Sequence, residues 1–316
     1  MSLSKQVLRV ASDCMAAQRR IRCSVAHTMC ISSRTTQGLY FKAENFQHTG
    51  SFKLRGAMSK LTSLPTDMPV ITASSGNHGI ACSHAAMKTG HKLTVVLPEN
   101  VDKVKLEKIQ SYGTETILNS GDSGLAEQHA QDLAAVGDYV YVSPYNDPLV
   151  ISGQGTIGLE LLEQLPAIDN IFISMGGGGL ISGIGSAIKA ASPDTKIIGV
   201  SAIHSAALAA SIRAGKIVQT EHLDTLADGC AGGVDNDAIT LSIAAEVVDE
   251  LVECSETEIE KALRILAWKE NMIVEGAAGL ALAGYLADEV EFEGQKNVVL
   301  LCGANFDSTK LEAVLR

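Results

Sequence analysis

Short runs of β-branched and aliphatic residues recur along the chain between longer stretches of helical spacing. Val70-Ile71-Thr72-Ala73, Leu93-Thr94-Val95-Val96-Leu97 and segments 170–174, 196–200 and 297–301 have strand length and little polar alternation. Such runs predict strands buried on both faces. Each is bordered by a helical stretch that starts or stops at Gly, Asn, Ser or Pro. The alternation predicts an α/β fold of parallel sheets covered by helices. Ser255-Glu256-Thr257-Glu258, ahead of an apolar-periodic stretch through Ala267, predicts a capping box. No repeat, low-complexity tract or long polar linker appears, so a second domain is expected as an insertion. Residues 69–144, with strands and helices of their own, form the expected small domain; 1–68 and 145–316 form the large one.

Length and charge narrow the classes of function. The 316 residues suffice for two domains, and the net charge of -11 comes with no block of Lys or Arg. That excludes the basic stripe a nucleic acid requires. No apolar run is long enough to cross a bilayer and no signal-peptide core is visible, so a cytoplasmic protein is expected. Seven cysteines, odd in number and never spaced C-x-x-C, argue against a disulfide framework or a zinc site. Most are expected to be buried small hydrophobes.

Four motifs carry candidate chemistry. Ser51-Phe52-Lys53-Leu54-Arg55-Gly56-Ala57 sets a lysine between an extended segment and a helix start. A desolvated lysine amine loses its proton and attacks carbonyls, although most lysines are simply solvated. Ser74-Ser75-Gly76-Asn77-His78-Gly79 follows a strand and opens a helix, offering N–H groups and hydroxyls to a carboxylate; the same composition suits an ordinary capped turn. Gly176-Gly177-Gly178-Gly179 joins a strand to a helix, where four glycines fit a backbone that must touch a ligand, phosphate first among anions. The run lacks the dinucleotide fingerprint and the G-K-[ST] of a triphosphate loop. Cys302-Gly303-Ala304-Asn305 follows the last strand, at the edge where open sheets bind ligands.

In order and spacing these motifs, from about Leu39 onward, resemble the fold-type II pyridoxal-phosphate enzymes, in the serine/threonine dehydratase and serine racemase branch. The resemblance implies a two-domain, tryptophan synthase β-like fold with pyridoxal 5'-phosphate bound as a Schiff base to Lys53. It implies that Phe52 packs on the ring, Asn77 bonds the ring hydroxyl, Gly176, Gly177, Gly178 and Gly179 hold the phosphate, and Cys302 faces the pyridine nitrogen. Ser74, Asn77 and His78 would receive the substrate carboxylate. Ala227-Asp228-Gly229 and Glu275-Gly276-Ala277 look similar to further family segments, with Gly229 and Glu275 as neighbours of the cofactor; Gly153-Gln154-Gly155-Thr156 adds support in the large domain. A homodimer is also implied.

The implied activity is β-elimination, with Lys53 as general base, converting L-threonine or L-serine into 2-oxobutyrate or pyruvate plus ammonia. Racemisation is the nearest alternative, with Ser75 as the second acid/base, and 3-hydroxyaspartate is a third substrate. A non-catalytic ligand-binding relative is the alternative of another class. Where relatives carry Val-Glu-Pro and a nearby Asp around a divalent cation, this chain reads Val200-Ser201-Ala202, with Ser205 and Ala207 beyond, so no metal is expected. Thr28-Met29 replaces the usual Thr-Pro, which weakens the expectation of nucleotide activation. The chain ends soon after Asn305, which predicts a catabolic enzyme without a C-terminal regulatory domain.

Overall fold

A computed structural model describes residues 3–137, 139–306 and 308–316. The strands are β1 (Cys30–Ser32), β2 (Leu39–Ala43), β3 (Val70–Ala73), β4 (Leu93–Pro98), β5 (Glu115–Asn119), β6 (Val140–Tyr141), β7 (Asn170–Ser174), β8 (Lys196–Ala202), β9 (Glu250–Cys254) and β10 (Asn297–Leu301). The helices are α1 (Lys5–Ile21), α2 (Lys53–Leu61), α3 (Asn77–Thr89), α4 (Lys103–Gln110), α5 (Ser123–Val136), α6 (Pro148–Gln164), α7 (Gly179–Ala191), α8 (Ala207–Ala214), α9 (Thr240–Val247), α10 (Glu256–Trp268), α11 (Gly276–Leu286) and α12 (Ser308–Leu315).

Two sheets result, a six-stranded one ordered β1-β2-β10-β7-β8-β9 and a four-stranded one ordered β5-β4-β3-β6. All pairings are parallel except β1 with β2. This is the α/β architecture the apolar runs predict, because β4, β7 and β10 are buried at every residue. The larger core packs Phe172, Ile198, Val299 and Leu300 of the six-stranded sheet against α7, α10 and α11. The second core, around Val70, Val95 and Leu97, also takes Ile21, Leu54, Met58, Leu61 and Val150. Helix α2 therefore packs beneath the four-stranded sheet while its first residues meet β10 of the other. The capping box forms as expected, with the Ser255 side chain and Glu258 each accepting the other's backbone N–H.

Parallel strands leave their carboxyl ends in a row, and the loops there carry the candidate motifs. The serine-glycine turn follows β3, the four glycines follow β7 and Cys302 follows β10.

Candidate active site

Lys53 is the first residue of α2. The chain enters that helix beside β10: the Phe52 N–H donates to the Cys302 carbonyl (3.0 Å), and Ser51 bridges Gly303. Two residues on, Arg55 is wholly buried, and its guanidinium donates to both Glu44 oxygens (2.8 Å each) and to Glu160 (2.7 and 2.8 Å). Lys42 donates to the same Glu160 at 2.5 Å. A forked, doubly paired arginine of this kind fixes the helix start rigidly, since either carboxylate alone would be a costly buried charge.

Burial pushes the Lys53 amine below its ordinary pKa, against the opposing fields of Cys230, Cys82, Cys302 and Glu275. Its Nζ donates to the Pro144 carbonyl (2.8 Å) and lies 5.3 Å from the Phe52 ring centroid. That shift favours the neutral amine, whose lone pair is then available to a carbonyl carbon.

The turn after β3 enters α3 through Gly76 with no side-chain cap, so the first N–H groups of that helix are free for an anion. Ser74 Oγ accepts the Gly76 N–H (3.2 Å), and Ser75 is half-buried in the same turn. Asn77 Nδ2 donates to both oxygens of Glu275 (2.8 and 3.0 Å), and its Oδ1 accepts from Asn305 Nδ2 (2.7 Å). The His78 side chain turns into the core, with Nε2 2.9 Å from the Val142 carbonyl, which leaves its backbone N–H as the group presented at the turn. Burial first, and the Lys53 charge second, depress the His78 imidazole to about 3.

Glu275 sits between the turn after β3 and the end of β10. The Asn305 N–H donates to Oε2 (3.1 Å), and Cys302 Sγ lies 3.8 Å from Oε1. Burial raises this carboxyl from its ordinary 4.5 to about 7, despite the hydrogen bonds that favour the anion. Cys302 stays a neutral thiol, because burial and then the Glu275 charge push its pKa well up. Gly229 is exposed, and a methyl placed on it would lie 3.6 Å from Glu275 Oε1.

Helix α7 also begins without a side-chain cap, directly after Gly176, Gly177 and Gly178. Gly178 has φ +88, and a methyl on Gly177 would stand 2.4 Å from the Tyr145 ring. Gly178 is likewise closed in by Leu208 and Thr240, and Thr240 Oγ1 donates to the Gly177 carbonyl (2.7 Å). Only glycine lets this backbone lie so close to its neighbours with its amides unobstructed.

The structure thus gathers Phe52, Lys53, Asn77, the glycine run, Glu275, Gly229 and Cys302 around one centre. Sequence reasoning missed Tyr145, Cys230 and Thr240, which close over the glycines, and the partners of Arg55. Tyr145 had a weak signal, an aromatic three residues past the apolar run Val140-Tyr141-Val142 and preceded by Pro144. Of the positions weighed for a cation, Ser201 is buried in β8 and Ala207 opens α8, while Ser205 Oγ bonds His222 Nδ1 (2.9 Å) and the Gly232 N–H (3.0 Å). Among the described residues no three His, Cys, Asp or Glu side chains are grouped to hold a metal.

A buried lysine with a lowered pKa, a glycine cradle at an uncapped helix start and a neutral thiol fit an aldehyde cofactor bearing a phosphate. The chain belongs to the pyridoxal-phosphate dependent enzymes, whose family pattern matches residues 26–303. Within that family it falls in the fold-type II group of serine/threonine dehydratases and serine racemases. It is 35% identical over 311 residues to an L-threonine ammonia-lyase of Thermotoga maritima, covering 96% of this chain and 77% of that protein. Among solved structures it is similar to the processed form of threonine deaminase isoform 2 from Solanum lycopersicum, with TM-score 0.93, 30% identity, and 99% and 93% of the two chains covered. Maize serine racemase gives TM-score 0.89 and 31% identity over 96% and 95% of the chains.

Proposed function

We propose that this chain is an ammonia-lyase that converts L-threonine or L-serine into 2-oxobutyrate or pyruvate plus ammonia. The observation that carries the reading is the buried Lys53 amine, depressed in pKa and set at the start of α2, which has no side-chain cap. In this account Lys53 would hold pyridoxal phosphate covalently, the amides of Gly176 to Gly179 would hold its phosphate, and Asn77, Phe52, Cys302, Gly229 and Glu275 would surround its ring. When bound, the cofactor supplies an electron sink for the pair released from the substrate's Cα.

The chain's own residues do the rest. The amides at the start of α3, with Ser74, Asn77 and the His78 backbone, orient the substrate carboxylate. That orientation presents the Cα proton to Lys53 Nζ, whose lowered pKa favours the neutral form that accepts it. The Cβ–oxygen bond breaks and the hydroxyl leaves as water with one proton, equal in number to the one Lys53 took from Cα, and a water is consumed when the amine is released as ammonia. Cys302 is a neutral thiol, so it does not favour a protonated pyridine nitrogen. Ser75 is the residue a racemase reading would use as its second acid/base.

Further parts of the reading are a homodimer, a cytoplasmic location, and a small domain of 69–144 inserted between 1–68 and 145–316. Expected from purified, cofactor-loaded protein is release of an oxo acid from L-threonine or L-serine that is indifferent to magnesium and to a chelator. Formation of D-serine alone would replace the lyase by a racemase, and a chelator-sensitive rate would restore a metal to the account.

A further inference from the structure

Between α8 and α9 the chain runs through residues 215–239, and its one regular element there is the 3-10 turn Asp228–Cys230. That turn is the part that meets the candidate site. A methyl on Gly176 would lie 2.9 Å from the Cys230 carbonyl oxygen, and one on Gly229 would lie 3.4 Å from Ala277 and 3.6 Å from Glu275 Oε1. Of residues 221–233 only Thr225 and Ala227 are buried. So little burial does not fix the course of the loop, and its placement falls to hydrogen bonds.

One side chain grips both limbs of this loop. Ser205 Oγ accepts the Gly232 N–H (3.0 Å) and lies 2.9 Å from His222 Nδ1. A hydroxyl, with one proton and two lone pairs, can make both bonds at once. Ser205 is only 3% exposed and turns tightly off the end of β8, its N–H donating to the Ala202 carbonyl (2.9 Å). The hydroxyl is thus fixed to the six-stranded sheet, and Asp228–Cys230 is suspended between the two limbs that it holds. On the far limb Gly232 has φ +121, a conformation that glycine adopts without strain. The other tethers serve one limb each. The Leu223 N–H donates to the His204 carbonyl (2.9 Å), the Leu226 N–H to Glu256 Oε2 (2.7 Å), and the Asp235 N–H to the Tyr145 hydroxyl (2.9 Å).

We propose that Ser205 is a positioning residue for the cofactor site: with His222 and Gly232 it clamps the loop 222–232, so that Gly229 and Cys230 stay against Glu275 and the first glycine of the phosphate cradle. Ser205 acts through the loop and not by touching the reacting atoms. Releasing either limb frees the wall beside Gly176, and a phosphate held by the amides there is then lost more readily. The inference rests on the pyridoxal-phosphate site, and on the ammonia-lyase reading only for what that site is used for. Its test requires no turnover.

The test compares holoenzymes by hydrogen exchange and by loss of visible absorbance on dilution, which follows the cofactor. Ser205→Ala removes both bonds. It is expected to speed amide exchange in peptides spanning 222–232 by about three- to tenfold, to leave α8 peptides unchanged, and to speed cofactor loss by a similar factor. His222→Ala, at an exposed position, removes one bond and should move both readouts less in the same direction. Because both changes act through one hydroxyl, the double variant should be no worse than Ser205→Ala alone. Exchange or cofactor loss unmoved in Ser205→Ala, faster exchange that extends over α8, or effects that multiply in the double variant would each overturn the clamp. If the clamp holds while the wild-type holoenzyme releases no oxo acid from any amino acid, the ammonia-lyase reading fails and the role of Ser205 stands.

Discussion

Two kinds of helix start divide this molecule. Helices α1, α4, α5, α6 and α10 begin at Ser4, Asp102, Asp122, Asp147 and Ser255, each with its side chain accepting a first-turn N–H. Helices α2, α3, α7, α8, α9 and α11 have no side-chain cap. The uncapped starts supply or touch the candidate site: Lys53 on α2, Asn77 on α3, the glycine run at α7, Glu275 before α11, and Leu208 and Thr240 of α8 and α9 against Gly178. A cap contributes about 1 kcal/mol to a helix. Where it is missing, free N–H groups and the positive helix end are left for a ligand's anionic groups. Stability and function are thus assigned to different helix starts of one fold.

The sharpest way to break the contrast is at α2. Lys53→Ala should abolish turnover, by about a thousandfold or more, since it removes both the covalent attachment and the base. Thermal melts should show the fold retained, because Arg55 and its carboxylates still anchor the helix. A variant that keeps measurable turnover would place the chemistry elsewhere.

Next in size is a pH effect between two buried groups. Glu275, raised to about 7, favours its proton in the folded state. Its stabilising contribution, on the order of 3 kcal/mol, is complete below pH 4.5 and lost as pH rises through 7. His78, lowered to about 3, favours the neutral ring. Its contribution is complete above pH 6.5 and lost as pH falls toward 3. Between pH 4.5 and 6.5 the two slopes oppose each other. Urea unfolding of cofactor-free Glu275→Gln should therefore show stability rising with pH across that window more steeply than wild type, and His78→Gln should show it falling. Parallel profiles for all three proteins would contradict the assignment.

Gly177→Ala tests the cradle at α7. The added methyl meets the Tyr145 ring at 2.4 Å, which should cost about 1–3 kcal/mol of stability. Cofactor retention, followed by absorbance on dialysis, should weaken with it. At a capped start, Ser255→Ala should cost about 1 kcal/mol in a thermal melt and leave kcat/KM unchanged. An activity loss there would erase the contrast between the two kinds of helix start.

The legible parts of this fold are the largely buried apolar runs. The runs at 70–73, 93–97, 170–174, 196–200 and 297–301 are strands, because central parallel strands read as continuous apolar segments. β1, β2, β5, β6 and β9 escaped the pattern. Glu115–Asn119 and Glu250–Cys254 run along sheet edges, half-buried and carrying charged residues, and Val140–Tyr141 is only two residues long. The site shows the same division. Lys53, the serine-glycine turn and the four glycines are contiguous motifs whose chemistry is local. The Asn77–Glu275 bond, the Tyr145 ring over Gly177 and the pairing of Arg55 with Glu44 and Glu160 join residues up to 198 positions apart, through contacts that no spacing encodes.

The most direct test of the central claim is borohydride reduction of the purified holoenzyme, followed by peptide mass spectrometry. The account predicts one reduced pyridoxal-phosphate adduct, on the peptide containing Lys53 and at Lys53 itself. An adduct on another lysine, or none on protein that absorbs in the visible, would contradict it.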